Sequence, residues 1–439
     1  MRLNVRHTNT AVTHEGGPAF GHLKPLDQLR RSVLSCLLWE GEFYEDGIAI
    51  ADRITETAKE VDPLELSALA FEARTQFNLR HVPLLLLCAL AEKRAALPHV
   101  VTEAVASTVQ RADELTELLA VYWRNGKKPL PAGFKKGLAK AFARFDAYQL
   151  GKYNRDGAIK LRDVLFLTHA KPKDEEQAAL WKKLVEGTLE SPDTWEVGLS
   201  AGLDKKETFE RLMAEGNLGY LALLRNLRNM EQAGCDLGKV RDAILARRNG
   251  AQRVLPFRYI AAARACPQLE PAIDVALHDA IAELPVLRGT TVVLVDVSGS
   301  MECALSGKSD LSRMDAAAAL ASIVSGETLR VFSFSSGLAE VPPRRGMAGV
   351  DAVKRSQTHG STFLKAALEK INATVKYDRI IVVTDEQSHD GICDPTSRHA
   401  YLINVASAKH GVGYGKWRHI DGFSESVLRY IAKAEDADL

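Results

Sequence analysis

Oxygen-bearing side chains recur at the ends of apolar segments in the last third of the sequence. Asp296, Ser298 and Ser300 alternate in the segment DVSGS, which directly follows the apolar run TVVLV. Two further oxygens come from Thr362, in HGST, and from Asp385, in VVTD. Hard oxygen donors of which few are charged suit a small octahedral cation. The set therefore predicts a divalent site, most simply for Mg²⁺, that keeps a water or an open position for an acidic group of a partner.

Two other interpretations of these residues stay open. A DxSxS segment is also typical of a turn in which hydroxyls cap backbone groups. An Asp after a strand is also a candidate phosphoryl nucleophile, but this loop has no second Asp two residues later and no lysine placed to hold a phosphate. The sequence contains neither a P-loop nor a nucleophile elbow. We therefore predict a binding module without catalytic residues.

The surrounding pattern predicts two domains that meet near residue 285. Residues 1–285 have helical apolar spacing almost throughout, with breaks at Gly and Pro, and predict no strand. Residues 286–439 alternate short β-branched runs with helical segments, which is typical of a parallel sheet covered on both faces. The runs are residues 291–295, 329–334, 379–384 and 401–405, and the helical segments are 313–324, 363–374 and 425–434. Ligands bind beyond the carboxyl ends of such strands, where Asp296 and Asp385 lie.

A basic segment stands out in a chain whose formal net charge is only +1. Residues 124–173 contain 13 Lys or Arg against three Asp, a local balance of +10. Lys136, Lys140 and Arg144 follow one another at intervals of four, so they form one stripe on a helix whose opposite side is apolar. Such a stripe attracts phosphates, although a merely solvated helix face has the same appearance.

The remaining composition predicts a cytoplasmic protein with no membrane partner. Its six cysteines show no metal or disulfide spacing, which fits a reducing compartment. The opening residues are polar, and the longest apolar stretch, residues 82–91, is too short to span a bilayer. We expect a monomer.

Several segments resemble the Ro ribonucleoprotein family, in which a TROVE domain precedes a von Willebrand factor A domain. They are RRSVLSCLL at residue 30, LTHAKP at 167, ALLRNLRNM at 222, PFRY at 256 and the DVSGS motif at 296. The resemblance implies a multidomain α plus α/β protein, with a ring of HEAT-like helical repeats in residues 1–285. Residues 286–439 would form a doubly wound, Rossmann-like von Willebrand A domain with a metal-ion-dependent adhesion site. The size suggests a bacterial or phage member.

The resemblance also implies a non-catalytic function in RNA quality control, RNA maturation or decay, and the stress response. Partners would be Y-type small RNAs, the single-stranded 3′ ends of misfolded RNAs, and an exoribonuclease such as polynucleotide phosphorylase. An unknown acidic protein ligand would approach the metal. Lys152 and His169 match RNA-binding positions of the family, and Arg155 lies near a third, which falls on Asp156 if the alignment shifts by one. Charge adds the stripe residues Lys135, Lys136, Lys140 and Arg144.

Two rival functions remain open at this stage. The first is a metal-dependent protein–protein scaffold in which the basic stripe is only solvated. The second is a metal-dependent nuclease at Asp296, although a single and mostly neutral site suits the two-metal scheme poorly.

Overall fold

The computed structural model describes residues 11–12, 18–19, 24–34, 47–76, 79–93, 95–154, 157–254, 256–305, 311–406, 411–412, 415–421, 427–428, 431–432 and 435. The chain divides into two compact units. The helical unit contains the described residues of Lys24–Trp39 and Ile48–Ala201, and the second unit contains those of Gly202–Leu439 with two short N-terminal strands. Helix gives way to sheet between Ala282 and Leu287, and the domain boundary at residue 285 stays a prediction.

Short capped helices build the helical unit. Pro begins several of them, and Asp62, Asp146 and Asp174 accept backbone N–H groups at the first turn, which satisfies donors that have no partner inside the helix. Helix α4 is buried on nearly all sides and forms the middle of the core. The helices are α1 (Pro25–Leu34), α2 (Gly47–Ala58), α3 (Pro63–Thr75), α4 (His81–Glu92), α5 (Pro98–Thr108), α6 (Ala112–Tyr122), α7 (Ala132–Phe142), α8 (Ala147–Tyr153), α9 (Leu161–Thr168), α10 (Glu175–Glu186) and α11 (Trp195–Ser200).

Helix α7 packs unusually close to α5 because two glycines face it. A Cβ built on Gly133 would lie 2.4 Å from the carbonyl oxygen of Pro98. A Cβ on Gly137, one turn later, would lie 2.6 Å from the Cβ of Val105. The absence of side chains at these two positions therefore fixes how deeply α7 sits in the unit.

We predict that Gly137→Ala lowers the free energy of unfolding by about 1–3 kcal/mol, because the added methyl overpacks the α5–α7 contact. An unhindered Gly→Ala change inside a helix would instead stabilise by up to about 1 kcal/mol. Urea unfolding of the purified protein measures the difference. Gly157→Ala, outside the helices, is the control for an added methyl that meets no close neighbour, since the nearest atom would be 3.8 Å away. A Gly137→Ala protein as stable as the wild type would contradict the close packing.

The second unit begins, in chain order, with further helices and continues into a sheet. Its helices are α12 (Lys205–Ala214), α13 (Tyr220–Arg225), α14 (Leu227–Gln232), α15 (Leu237–Ala246), α16 (Pro256–Ala265), α17 (Glu270–Ala282), α18 (Arg313–Ile323), α19 (Gly346–Lys354) and α20 (Leu364–Thr374). Its strands are β1 (Ala11–Val12), β2 (Pro18–Ala19), β3 (Leu287–Asp296), β4 (Gly326–Phe334), β5 (Leu338–Val341), β6 (Arg379–Thr384), β7 (His399–Asn404) and β8 (Arg418–Asp421). We call β3–β8 with α18–α20 the sheet domain.

Within the described residues, the sheet has six strands in the order β5-β4-β3-β6-β7-β8. All neighbours are parallel except β5, which pairs antiparallel with β4. The residues of β6 are all buried, as expected for a strand covered on both faces.

The structure confirms helices followed by an alternating α/β sheet and corrects three details. The sheet is mixed rather than wholly parallel. Strands β5 and β8 were not predicted, because both are four residues long and neither is an apolar run. Strands β1 and β2 precede residue 285, where no strand was expected. The HEAT-like class of the helices and the von Willebrand A class of the sheet domain stay predictions.

Among the residues that the structure describes, no helix combines the length and the apolar character needed to cross a bilayer.

Candidate functional site

The candidate metal centre begins where two neighbouring parallel strands end. Strands β3 and β6 pair in a register that sets Val295 opposite Val383. Asp296 is therefore beside Thr384, and Asp385 follows directly. Both carboxylates are fully buried. The two acidic residues predicted from the sequence thus meet at the carboxyl edge of the sheet.

The loop after β3 gathers the two serines over Asp296. The backbone N–H of Ser298 donates to Oδ1 of Asp296 at 2.9 Å, and the hydroxyls of Ser298 and Ser300 are 3.3 Å apart. The N–H of Gly299 donates to the carbonyl of Gly360 at 3.1 Å. This backbone bond joins the DxSxS loop to the loop that carries the threonine.

Thr362 is held by the segment that follows Asp385. Its N–H donates to Nδ1 of His389 at 3.2 Å, and its carbonyl accepts the N–H of His389 at 2.9 Å. The carboxylate of Asp390 then accepts the N–H groups of Lys365 and Ala366 at 3.0 and 2.9 Å, which ties the same segment to the start of α20. All five predicted ligands therefore lie on three interlocked loops at one edge of the sheet.

The buried charges of the centre oppose one another. Burial, and after it the repulsion from the neighbouring Asp385, together raise the pKa of Asp296 to about 7. Hydrogen bonds from Ser298 and Thr384 act against this rise. The guanidinium of Arg313, itself buried, lies 3.9 Å from the carboxylate of Asp385 and supplies part of the compensating positive charge.

This donor set fits a hard divalent cation. Two carboxylates and three hydroxyls are oxygen ligands of the kind that Mg²⁺ accepts, and a cation would relieve the repulsion between the two buried acids. Among the described residues, no three His, Cys, Asp or Glu side chains gather at metal-binding distance. A metal held here would therefore depend on the hydroxyls as well as on the acids.

Sequence reasoning missed two side chains of the centre. Thr384 donates its hydroxyl to Oδ2 of Asp296 at 2.6 Å, and its place before Asp385 in VVTD was an available signal. Arg313 gave no such signal. It opens α18, a helix whose residues are all buried, and only the packing of that helix brings it to Asp385.

We predict that Asp296→Asn stabilises the metal-free protein at pH 8 by about 2–4 kcal/mol, because it removes one of two buried like charges. Because the pKa of Asp296 in the folded protein is raised to about 7, the wild type carries the full cost of the buried charge above about pH 7. The difference in stability between the wild type and Asp296→Asn shrinks as the pH falls toward about 4, the pKa of an aspartate in the unfolded chain. Thermal unfolding across this pH range measures it.

Mg²⁺ should raise the melting temperature of the wild type and leave that of Asp296→Asn unchanged. Asp394→Asn is the matched control, because this exposed carboxylate of the same unit pairs with Lys416 and should not alter the Mg²⁺ response. Equal stabilisation of the wild type and Asp296→Asn by Mg²⁺ would remove Asp296 from the ligand set.

The basic stripe lies on α7 in the helical unit, as its spacing predicts. Leu138 and Phe142 are fully buried, whereas Lys136 and Lys140 are exposed and Lys135 is half-buried. The helix therefore presents a cationic face to solvent and an apolar face to the core.

The stripe residues differ in whether they already have a partner. Lys140 donates to both carboxylate oxygens of Glu103 at 2.8 Å. The guanidinium of Arg144, which lies just beyond α7, donates to the carbonyl of Val109, and burial lowers its pKa. The guanidinium of Arg144 is therefore already bound to the backbone, and its predicted contact with RNA stays a prediction. Lys136 is an exposed cation of the stripe without an ion pair in the described residues.

Lys152 lies in an aromatic and acidic environment on α8. Its ammonium is 3.7 Å from a carboxylate oxygen of Glu196 and about 6 Å from the ring centres of Tyr148 and Tyr153. The guanidinium of Arg111 lies 4.8 Å from the centre of the Tyr153 ring. The sequence gave no indication of this cluster beyond the presence of Tyr153.

His169 ends α9 in a left-handed conformation, with φ of 52°, and its side chain is exposed. Arg155, together with the alternative Asp156, lies outside the described residues. The described residues predicted to bind RNA all belong to the helical unit, and the predicted metal ligands all belong to the second unit.

Comparison with known proteins identifies part of the chain. Residues 186–276 match the family model of the TROVE domain. The matched segment comes after the predicted RNA-binding residues and before the DVSGS motif. The match therefore tests neither the predicted RNA-binding residues nor the predicted metal ligands.

A solved structure, the crystal structure of Deinococcus radiodurans RO (RSR) protein, resembles this chain in fold. The likeness covers 94% of this chain and 100% of that one, with a TM-score of 0.65 and 17% sequence identity. The TROVE match is confined to residues 186–276, and the likeness to the RO protein is one of fold; both agree with the predicted resemblance to the Ro family.

Proposed function

We propose that this TROVE-domain protein, a relative of the Ro proteins, is a non-catalytic RNA-binding protein. The match of residues 186–276 to the TROVE model carries the proposal. By the same resemblance we propose that it binds Y-type small RNAs and the single-stranded 3′ ends of misfolded RNAs. Its role would be RNA quality control under stress, in association with an exoribonuclease such as polynucleotide phosphorylase.

The surface of the helical unit supports this proposal. Lys136, Arg162, His169 and Lys171 are exposed, and among the described residues none of them has an ion-pair partner. Contacts from such side chains to phosphates would supply affinity without reading sequence, as structured RNA requires.

We further propose that the sheet domain is of the von Willebrand A type and that its centre holds Mg²⁺. Asp296, Ser298, Ser300, Thr362 and Asp385 would be the ligands, and a bound cation would supply a Lewis-acidic position for an acidic side chain of a protein partner. The two buried carboxylates support this proposal, because without a cation their repulsion is only partly offset.

The test of the proposed function compares a hairpin RNA with an unpaired 3′ tail against the same hairpin without the tail. Binding to the purified protein is measured by gel shift and by fluorescence anisotropy at 50 and 200 mM salt. We expect affinity that falls steeply with salt, since phosphate contacts release counterions, and that is higher with the tail.

Each other outcome has a defined meaning. Salt-sensitive binding that ignores the tail would retain RNA binding and discard the preference for 3′ ends. Absence of binding at low salt would overturn the proposal in favour of a protein–protein scaffold. Conversion of the RNA by the protein with Mg²⁺ alone would contradict a non-catalytic role.

We predict that Lys136→Ala weakens RNA binding by roughly fivefold and lowers the slope of log affinity against log salt by about 0.7–0.9. Lys140→Ala, one turn away on the same helix, is the matched control. It should have a smaller effect, because its ammonium is already held by both carboxylate oxygens of Glu103. Equal losses in the two variants would contradict the distinction between paired and unpaired cations.

A further inference from the structure

The outward face of α9 combines an exposed aromatic ring with polar nitrogen groups. Arg162 and Phe166 are four residues apart and exposed, so they share one face of the helix, and the exposed His169 lies directly after its last residue. The opposite face, with Leu161, Val164, Leu165 and Thr168, is buried in the unit. The aromatic ring is therefore directed away from the core by the same periodicity that anchors the helix.

Phe166 is 60% exposed, more than any other phenylalanine in the described residues. A single exposed apolar side chain is common on protein surfaces, and alone it would carry no meaning. Phe166 is unlike an isolated exposed side chain because its exposed neighbours along the chain are the guanidinium of Arg162 and the imidazole of His169. Lys171, shortly after the helix, is exposed as well, whereas the exposed Lys173 pairs with Asp174 at 3.6 Å.

Asp163, the acidic residue nearest to Phe166 in the sequence, does not offset the positive charge of this face. Asp163 accepts the backbone N–H of Lys160 at 2.8 Å and so caps the start of α9. The carboxylate is thereby directed to the helix terminus. The face around Phe166 is cationic and aromatic, which complements an anionic ligand with flat rings.

We propose that Phe166 is a stacking platform for an unpaired RNA base, with Arg162 and Lys171 contacting the adjoining phosphates. This inference rests on the proposed RNA-binding function and adds to it a site for single-stranded nucleotides. Unpaired bases stack on aromatic side chains irrespective of sequence. A base in a duplex is already stacked on both sides, so the platform discriminates unpaired from paired RNA. A protein partner would need further exposed apolar side chains, and the described part of this helix face offers no other large one.

The test uses hairpin RNAs with and without an unpaired tail that contains one 2-aminopurine. Phe166→Ala should bind the tailed RNA about tenfold more weakly and the paired RNA unchanged. Phe166→Leu keeps the apolar volume without the aromatic face and should behave like Phe166→Ala. Phe166→Trp should retain affinity, quench the 2-aminopurine and show quenching of its own fluorescence on binding.

Salt dependence separates the ring from the cations. Phe166→Ala should leave the slope of log affinity against log salt unchanged, because no charge is lost. Arg162→Gln should lower it by about 0.7, the value for one phosphate contact on a single strand. Thermal unfolding of all variants should match the wild type, since both side chains are exposed.

Failure of this inference is distinguishable from failure of the proposed function. If wild-type protein binds the tailed RNA and Phe166→Ala binds it equally well, the platform is wrong and RNA binding stands. If Phe166→Leu retains full affinity, the ring contributes apolar contact rather than stacking, and the proposal is overturned. If the wild type binds neither RNA at low salt, the proposed function itself fails.

Discussion

The sheet domain must accommodate two buried carboxylates that repel each other at the ends of adjacent strands, and much of the surrounding structure compensates for this repulsion. Parallel pairing of β3 and β6 brings Asp296 and Asp385 together, and burial removes the water that would screen them. The hydroxyl of Thr384 and the guanidinium of Arg313 partly compensate. Three loops are joined by backbone hydrogen bonds around these acids, and these bonds hold the predicted ligands at one edge of the sheet. A polar network of this kind specifies one arrangement because each unsatisfied buried member would be costly.

The helical unit meets a different condition on α7, whose cationic face lies in solvent and whose opposite face packs on the apolar core. The two glycines of α7 allow that helix to approach α5 closely, and this position decides which of its lysines reach a neighbouring acid. Lys140 meets Glu103 across the helix pair, whereas Lys136, one turn earlier and also exposed, has no ion-pair partner in the described residues. Lysines of one stripe therefore differ in whether an acid already neutralises them. An exposed ion pair adds little stability, but it reduces the charge that a ligand encounters.

Prediction from the sequence succeeded where a pattern is local and strong. The β-branched run that became β6 was placed with its observed ends, because an apolar segment between polar residues marks a buried strand. The cores of β3, β4 and β7 were also found, within a few residues of their ends. The edge strand β5 was missed because it has only four residues, and the exposed Glu340 interrupts any apolar run. Its antiparallel direction follows from a short connection to β4, which spacing alone did not reveal.

The sequence by itself determined which oxygens follow which strands, which face of α7 is cationic, and where helices give way to a sheet. These properties depend on residues within one or two turns of each other, and periodicity records them. Only the tertiary structure decided which of these groups have partners. Lys140 and Glu103 are 37 residues apart, and Thr384 and Asp296 are 88 apart. The exposure of Phe166 and the approach of Arg313 to Asp385 are likewise set by packing between distant segments, which no local pattern encodes.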